Sequence, residues 1–293
     1  MKPFSIIEAP SPLGLWPSGI QDMARVLLEM GLGTGIGARH AERLAPPPYD
    51  PRRCPDTHLL NPQGIADYSL QLALAIETGI GRGEFPIVLG GDCSILLGPA
   101  LALKQRGRHG LLFIDGHMDF WDAKTEPRGE AASMDLALVT GHGPAIVSNI
   151  EGLSPYFHSS DVAAVGARDH LHDPDFVETP MPRELRRFDI EELRKAGITD
   201  VARESLSIVC RNNLDGFWIH FDVDALDDRI MPAVDYRMAN GLGWDEFESL
   251  LSAAMATGRA IGLDVTIYNP NLDPARTAAR DLVHRLIRAL TSS

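Results

Sequence analysis

Short runs of Val, Ile, Leu and Phe alternate along the chain with longer segments in which apolar residues recur at helical spacing. That alternation predicts an α/β protein with a mainly parallel central sheet. Six runs read as buried strands: Phe4 to Ile7, Phe85 to Leu89, Gly110 to Asp115, Val162 to Val165, Phe217 to Asp222 and Ala260 to Val265. Helices fill the gaps. Ile20, Met23, Leu27 and Met30 share one face of a helix that Ser18 can cap, and Ser94 opens another directly after a strand. Asp273 and Pro274 take the cap and first-turn positions of a last helix running to about Leu290, with Leu282, Leu286 and Leu290 in one stripe.

Two stretches lack either periodicity. Gly37 to Gly64 carries Pro46, Pro47, Pro48, Pro51, Pro55 and Pro62 and reads as an ordered surface excursion; Trp121 to Ala131 is irregular and follows a strand end. Neither resembles an interdomain linker and no internal repeat is visible, so one domain over residues 1–293 is expected. Gly33 to Ala38 fits G-x-G-x-x-A but follows a helical segment rather than a strand, so it reads as a helix-ending loop and not a dinucleotide site.

Composition narrows the partners. Lys and Arg number 27 against 40 Asp and Glu, a formal net charge of −13, so phosphates of nucleic acids and anionic membrane surfaces are not expected to bind. Three cysteines, Cys54, Cys93 and Cys210, do not make a disulfide framework, and no apolar run approaches the roughly 20 residues of a spanning helix. A cytoplasmic protein that takes a small molecule is expected.

Ligands of an open parallel sheet bind beyond the carboxyl ends of its strands. Three predicted strand ends run into polar residues: Asp92-Cys93-Ser94, Asp115-Gly116-His117-Met118-Asp119 and His220-Phe221-Asp222-Val223-Asp224. In extended chain, residues two apart project to one side, so Asp115, His117 and Asp119 converge, and Asp222 and Asp224 repeat the pattern. Carboxylates crowded together repel and are costly to desolvate unless cations are bound among them. Four carboxylates, one imidazole and the Cys93 thiolate are enough to bridge two divalent ions, and an oxygen-rich shell suits Mn²⁺.

These segments resemble the signature blocks of the ureohydrolase family (arginase, agmatinase, formiminoglutamase), which read GGDHS, DAHxDxxD and SxDxDxxDP. They fall in family order, and Gly262 to Pro270 is similar to the late GLDxxExNP block. The resemblance implies a three-layer α/β/α sandwich and Mn²⁺-dependent hydrolysis of a linear guanidino or amidino C–N bond, with metal-bound hydroxide as nucleophile. It also implies a homo-oligomer, a trimer or hexamer. By the same resemblance Asp115, His117, Asp119, Asp222 and Asp224 fall on five of six ligand positions, and Asp119 on the carboxylate that orients the hydroxide. Trp121, Ser133, Asp169 in the Arg168 to Asp173 segment, and Ile267 fall on the substrate side.

The departures are specific. Cys93 stands where the family has its first ligand histidine, and a soft thiolate opens that position to Zn²⁺ or Fe²⁺. With Gly116 for alanine and His220 for serine, it resembles the hydroxyarginine-cleaving branch. Ile267 replaces a glutamate that pairs with the substrate guanidinium, and the family's proton-shuttling histidine has no counterpart in Gly129 to Asp135, where Glu130 or Ser133 could reach the pocket. The alternatives are a hydroxyarginine or formimino substrate, or a metal-binding protein that has lost catalysis. A deacetylase of the related fold would need an adjacent His-His pair, which this sequence lacks.

Overall fold

Among the described residues, eight strands make one sheet in which every neighbouring pair is parallel, so all eight deliver their carboxyl ends to the same edge. They are β1 (Phe4–Ala9), β2 (Arg39–Arg43), β3 (Phe85–Gly90), β4 (Gly110–Ile114), β5 (Val162–Val165), β6 (Arg186–Phe188), β7 (Phe217–Asp222) and β8 (Ala260–Thr266). The spatial order is β2-β1-β3-β8-β7-β4-β5-β6. The computed structural model describes residues 2–172 and 179–291, the side chains of residues 40 and 41 excepted; Asp173 lies outside these, as does the side chain of His40.

Both faces of the sheet are covered, which is why its central strands read as unbroken apolar runs. Leu112 and Ile114 of β4, with Phe85, Ile87 and Leu89 of β3, pack into one core beside Met23–Glu29, Ile198–Val209, Trp244–Ala256 and Thr277–Thr291. Their neighbours Leu111, Phe113 and Val88 point the other way, into a second core under Pro62–Gly81, Leu97–Lys104 and Asp135–Val139. The result is the three-layer α/β/α arrangement.

The six predicted strands are present; β2 and β6 were not foreseen. They are the two sheet edges, and their sequences, Arg-His-Ala-Glu-Arg and Arg-Arg-Phe, carry the charge that keeps an edge from pairing with another chain and hides it from an apolar search. The Gly37 to Gly64 excursion therefore opens with an edge strand. Three helix starts also differ. Ser18 bonds Asp235 Oδ2 at 2.7 Å instead of capping, and a short turn at Ile20–Asp22 precedes the helix. Asp92, not Ser94, is the cap after β3, its Oδ1 accepting from Ser94 N at 2.8 Å. Asp273 does cap the last helix, but by accepting from Thr277 N and Ala279 N, so that helix starts at Thr277 rather than at Pro274.

One buried cation ties the strand ends together. Arg168 follows β5, is 0% exposed, and spends its guanidinium on backbone: Nε donates to Ala239 O, Nη1 to Ala225 O, and Nη2 to Asp224, Leu226 and Met238 O. Its own N–H donates to Gly116 O. A Cβ on Gly116 would lie 2.7 Å from Arg168 Nη1 and 2.8 Å from Asp224 O, so this closeness admits glycine only. The planar fork thus holds the residues after β7 to the loop after β5, and the Arg168 backbone holds the loop after β4; the ammonium of lysine cannot reproduce the fork. Arg168→Lys should leave several buried carbonyls without donors and lower unfolding stability by about 2–4 kcal/mol. Urea denaturation monitored by circular dichroism measures this.

Candidate metal centre

β3, β8, β7 and β4 are neighbours at the centre of the sheet, so Cys93, Ile267, Asp222 and Asp115 leave from adjacent strand ends. Their side chains converge. Cys93, Asp115 and Asp222 place one ligand atom each within 4.8 Å of one another, and so do Asp115, His117 and Asp224. Cys93 Sγ donates to Asp222 Oδ2 at 2.8 Å and lies 3.2 Å from Thr266 Oγ1. His117 Nδ1 is 3.1 Å from Asp224 Oδ2.

The convergence does not come from extended chain. β4 ends at Ile114, and Asp115 then turns the backbone by accepting from His117 N at 2.7 Å. Asp222 does the same for Asp224 N at 2.7 Å, and Asp224 Oδ1 accepts from Gly116 N at 3.1 Å. Asp119 sits at φ 45°, in the left-handed region that costs a residue with a side chain of order 1 kcal/mol or more. Ile267 sits at φ 72°, where a β-branched residue is a pronounced outlier, and its N–H donates to Gly91 O. Both strained residues face the same cavity.

That cavity, of about 50 Å³, is lined by Cys93, His117, Asp119, Asp222 and Asp224 on one side and Leu15, Trp121, Ala132, Ser133, Tyr236 and Ile267 on the other. Its size suits small ions and a few waters. Trp121, Ser133 and Ile267 thus line the wall opposite the carboxylates. Asp169 does not line it: its Oδ2 accepts from Met118 N at 3.1 Å, which braces the loop carrying His117 and Asp119. His170 bonds Glu191 at the surface.

Electrostatics favour a cation. Burial above all, with repulsion from neighbouring carboxylates second, pushes Asp119 and Asp222 well above the usual carboxylate range. Burial and the Asp222 carboxylate likewise push the Cys93 thiol up. Burial opposes charge on His117, yet Asp224, Asp115 and Asp119 outweigh it and raise its pKa. Asp115 Oδ2 is buried with no hydrogen-bond partner. A divalent ion relieves each of these at once, so the donor set fits the two-ion centre expected from the sequence.

Four further groups were not assigned a role from the sequence. Asp135 opens the Asp135–Val139 helix above the second core, fully buried, with neither oxygen bonded. His220 is fully buried on β7, stacks on Phe113 with ring centroids 4.7 Å apart, and bonds Asp264 through Nδ1. Asp264 of β8 also accepts from Trp218 Nε1. The period of two points Trp218, His220 and Asp222 to one face, and applied one step back from Asp222 it would have found His220. The fourth is Tyr236, which lines the cavity and donates to Glu130 Oε2 at 2.7 Å.

A model described as the arginase family matches residues 49–292. Arginase from Bacillus caldovelox is 28% identical over 295 residues, 95% of each chain. The solved structure of arginase from that organism has a TM-score of 0.89 at 24% identity, covering 100% of this chain and 99% of its own. Formimidoylglutamase from Bacillus subtilis has a TM-score of 0.76 at 16% identity, covering 99% and 86%. The family match runs through every strand end that carries a candidate ligand, and the chain belongs to the arginase family.

Proposed function

We propose that this chain hydrolyses a linear guanidino or amidino C–N bond of a small molecule, using two divalent cations, Mn²⁺ foremost, held by Cys93, Asp115, His117, Asp119, Asp222 and Asp224. The observation that carries the reading is the meeting of these side chains at the carboxyl edge of the sheet, in a chain of the arginase family. When bound, such ions supply a nucleophilic water at neutral pH and polarise the group under attack. Asp119, strained and lining the cavity, orients that water. Trp121, Ser133 and Ile267 form the wall against which the substrate lies. Among the described residues no helix is long and apolar enough to cross a membrane. A cytoplasmic homo-oligomer follows the family and remains part of this proposal.

The departing amine needs a proton, and no histidine stands where the family carries its shuttle. Tyr236 and Glu130 are placed to take over. Glu130 is buried, and burial pushes its carboxyl up to about 7, so near neutrality a large share of it still holds a proton. For the transfer the Tyr236 hydroxyl turns from Glu130 toward the leaving nitrogen, gives its proton there and accepts one from the Glu130 carboxyl across the same 2.7 Å contact. Ile267 replaces the carboxylate that would pair with a guanidinium, which disfavours a strongly cationic head and favours a less basic one such as an N-hydroxyguanidine or a formimino group.

Three measurements test this. Protein loaded with Mn²⁺ and offered arginine, hydroxyarginine, agmatine, guanidinobutyrate and formiminoglutamate should release amine from at least one, with metal content lowered by Asp222→Ala or Asp119→Ala. No turnover of any of them would favour a binding protein instead. Ile267→Glu should lower KM for arginine by roughly 10- to 100-fold by restoring a charge-assisted bond, read from steady-state kinetics on both arginine and hydroxyarginine. Glu130→Gln should lower kcat by about a hundredfold while stabilising the fold at neutral pH. The sign follows from the raised pKa: between about 4.5 and about 7 the folded chain keeps a proton that the unfolded chain has lost, so stability falls by up to about 3 kcal/mol as pH rises through that window. The glutamine variant should lack that fall in urea titrations at pH 4.5 and 7.5.

A further inference from the structure

We propose that the cation at the Cys93 end of the centre is a thiolate-preferring divalent ion, Zn²⁺ in class, held beneath the cavity floor by Cys93 Sγ, His220 Nε2, Asp135 and Asp115 Oδ2. Asp135 and His220 lie outside the six expected ligand positions and do not line the cavity. Cys93, Asp135 and His220 nonetheless bring one ligand atom each within 4.8 Å of one another. His220 Nε2 lies 3.8 Å from Asp115 Oδ2 and 3.8 Å from Asp135 Oδ2. Ligands about 2.0–2.3 Å from a tetrahedral Zn²⁺ stand roughly 3.3–3.8 Å apart, so the two distances from His220 Nε2 already match such an ion, and Cys93 Sγ lies close enough to join them.

The unpartnered atoms point the same way. Both oxygens of Asp135, Oδ2 of Asp115 and Nε2 of His220 are buried without a hydrogen-bond partner, and all belong to this one cluster. Pairing His220 with Asp264 satisfies Nδ1 only. Because a carboxylate can only accept, Nδ1 carries a proton, and an ion bound at Nε2 would replace the second proton that Asp115 and Asp135 otherwise favour there. Trp218 Nε1 fixes the other oxygen of Asp264, completing the carboxylate–histidine support that orients metal-bound imidazoles. A trapped water would satisfy some of these atoms but would not offset the charge of Asp115, Asp135 and Asp222 around a thiol. A thiolate, an imidazole and carboxylates in a closed site suit Zn²⁺ better than Mn²⁺.

The proposal rests on the metal-binding part of the preceding reading and not on its hydrolytic part, so its test reads coordination instead of turnover. With Co²⁺ as the spectroscopic probe, the unaltered protein should show a thiolate-to-cobalt charge-transfer band and the intense visible bands of tetrahedral Co²⁺. Cys93→Ser should abolish the first. Asp135→Asn and His220→Asn should each lower the affinity for this ion at least about tenfold and weaken the visible bands, whereas Asp224→Asn should keep the charge-transfer band. If Asp135→Asn and His220→Asn leave affinity and spectrum unchanged, the ion is held in the cavity by Cys93, Asp115 and Asp222, and the assignment is wrong. Should those variants not fold, zinc-edge X-ray absorption of His117→Asn protein carrying a single equivalent of Zn²⁺ decides. One sulfur at about 2.3 Å with imidazole outer-shell scattering supports the site; absence of either overturns it.

Discussion

Acid buried at the edge of a sheet that is covered on both faces is the constraint on which this structure depends. Asp115, Asp119, Asp222, Asp224 and Asp264 are all buried, at or near the ends of three adjacent parallel strands, with Asp135 above them. A parallel sheet needs apolar strands because helices cover both faces, and most of β4, β7 and β8 obeys. The exceptions, His220 and Asp264, are cross-strand neighbours in register. They extend the polar edge inward as a stripe along the face that meets the Asp135–Val139 helix. Such a stripe persists only if positive charge enters it, and buried His220 with half-buried His117 does not match six carboxylates.

The protein shell answers this constraint with rigidity. Arg168 is positive, yet among the described residues it bonds carbonyls and no carboxylate, so its contribution is to fix loops more than to neutralise acid. Burial lowers its pKa, opposed by the field of Asp224 and Asp115, which keeps the guanidinium charged where the loops carrying the candidate ligands meet. Gly116 makes room for it, and Asp169 holds Met118 from behind. Strain at Asp119 and Ile267 shows how fully the surroundings determine these loops, since neither φ would persist in a free chain. Glu126 closes the arrangement from the far side, its Oε2 accepting from the N–H groups of Arg128, Gly129 and Glu130 and so ordering the Trp121 to Ala131 stretch.

Apolar periodicity identified the six strands with buried faces and the arrangement of layers around them, because burial on both sides leaves a mark in every residue of a strand. It missed β2 and β6 because edge strands are selected for charge, not burial. That Asp115, His117, Asp119, Asp222 and Asp224 come together at one edge was legible because each lies within a few residues of a strand end. The geometry that unites them was not: turns made by Asp115 and Asp222 replace the extended chain that spacing alone suggests. Asp135 and Glu130 were harder to read, since they come from a stretch whose course over the sheet no local pattern encodes. Asp169 illustrates the opposite limit, a polar residue near the site in sequence that supports a loop without reaching the cavity.

Two of the departures from the family pattern become one when seen on the sheet. Cys93, after β3, stands where a ligand histidine is expected, and His220, on β7, stands where a serine is expected. β8 alone separates their strands, and its Asp264 carries the Nδ1 bond that orients the His220 ring. An imidazole has thus been exchanged for a thiol at the rim and regained one layer deeper, on the side where Asp135 adds a carboxylate. The exchange moves the imidazole away from the cavity wall, and Ile267 removes a carboxylate from the same wall. Both changes make the substrate side less polar while the interior behind it gains donors. Under the proposed function, a centre altered in that direction would keep its demand for cations, shift its preference toward softer ones and present a mouth suited to a less cationic substrate.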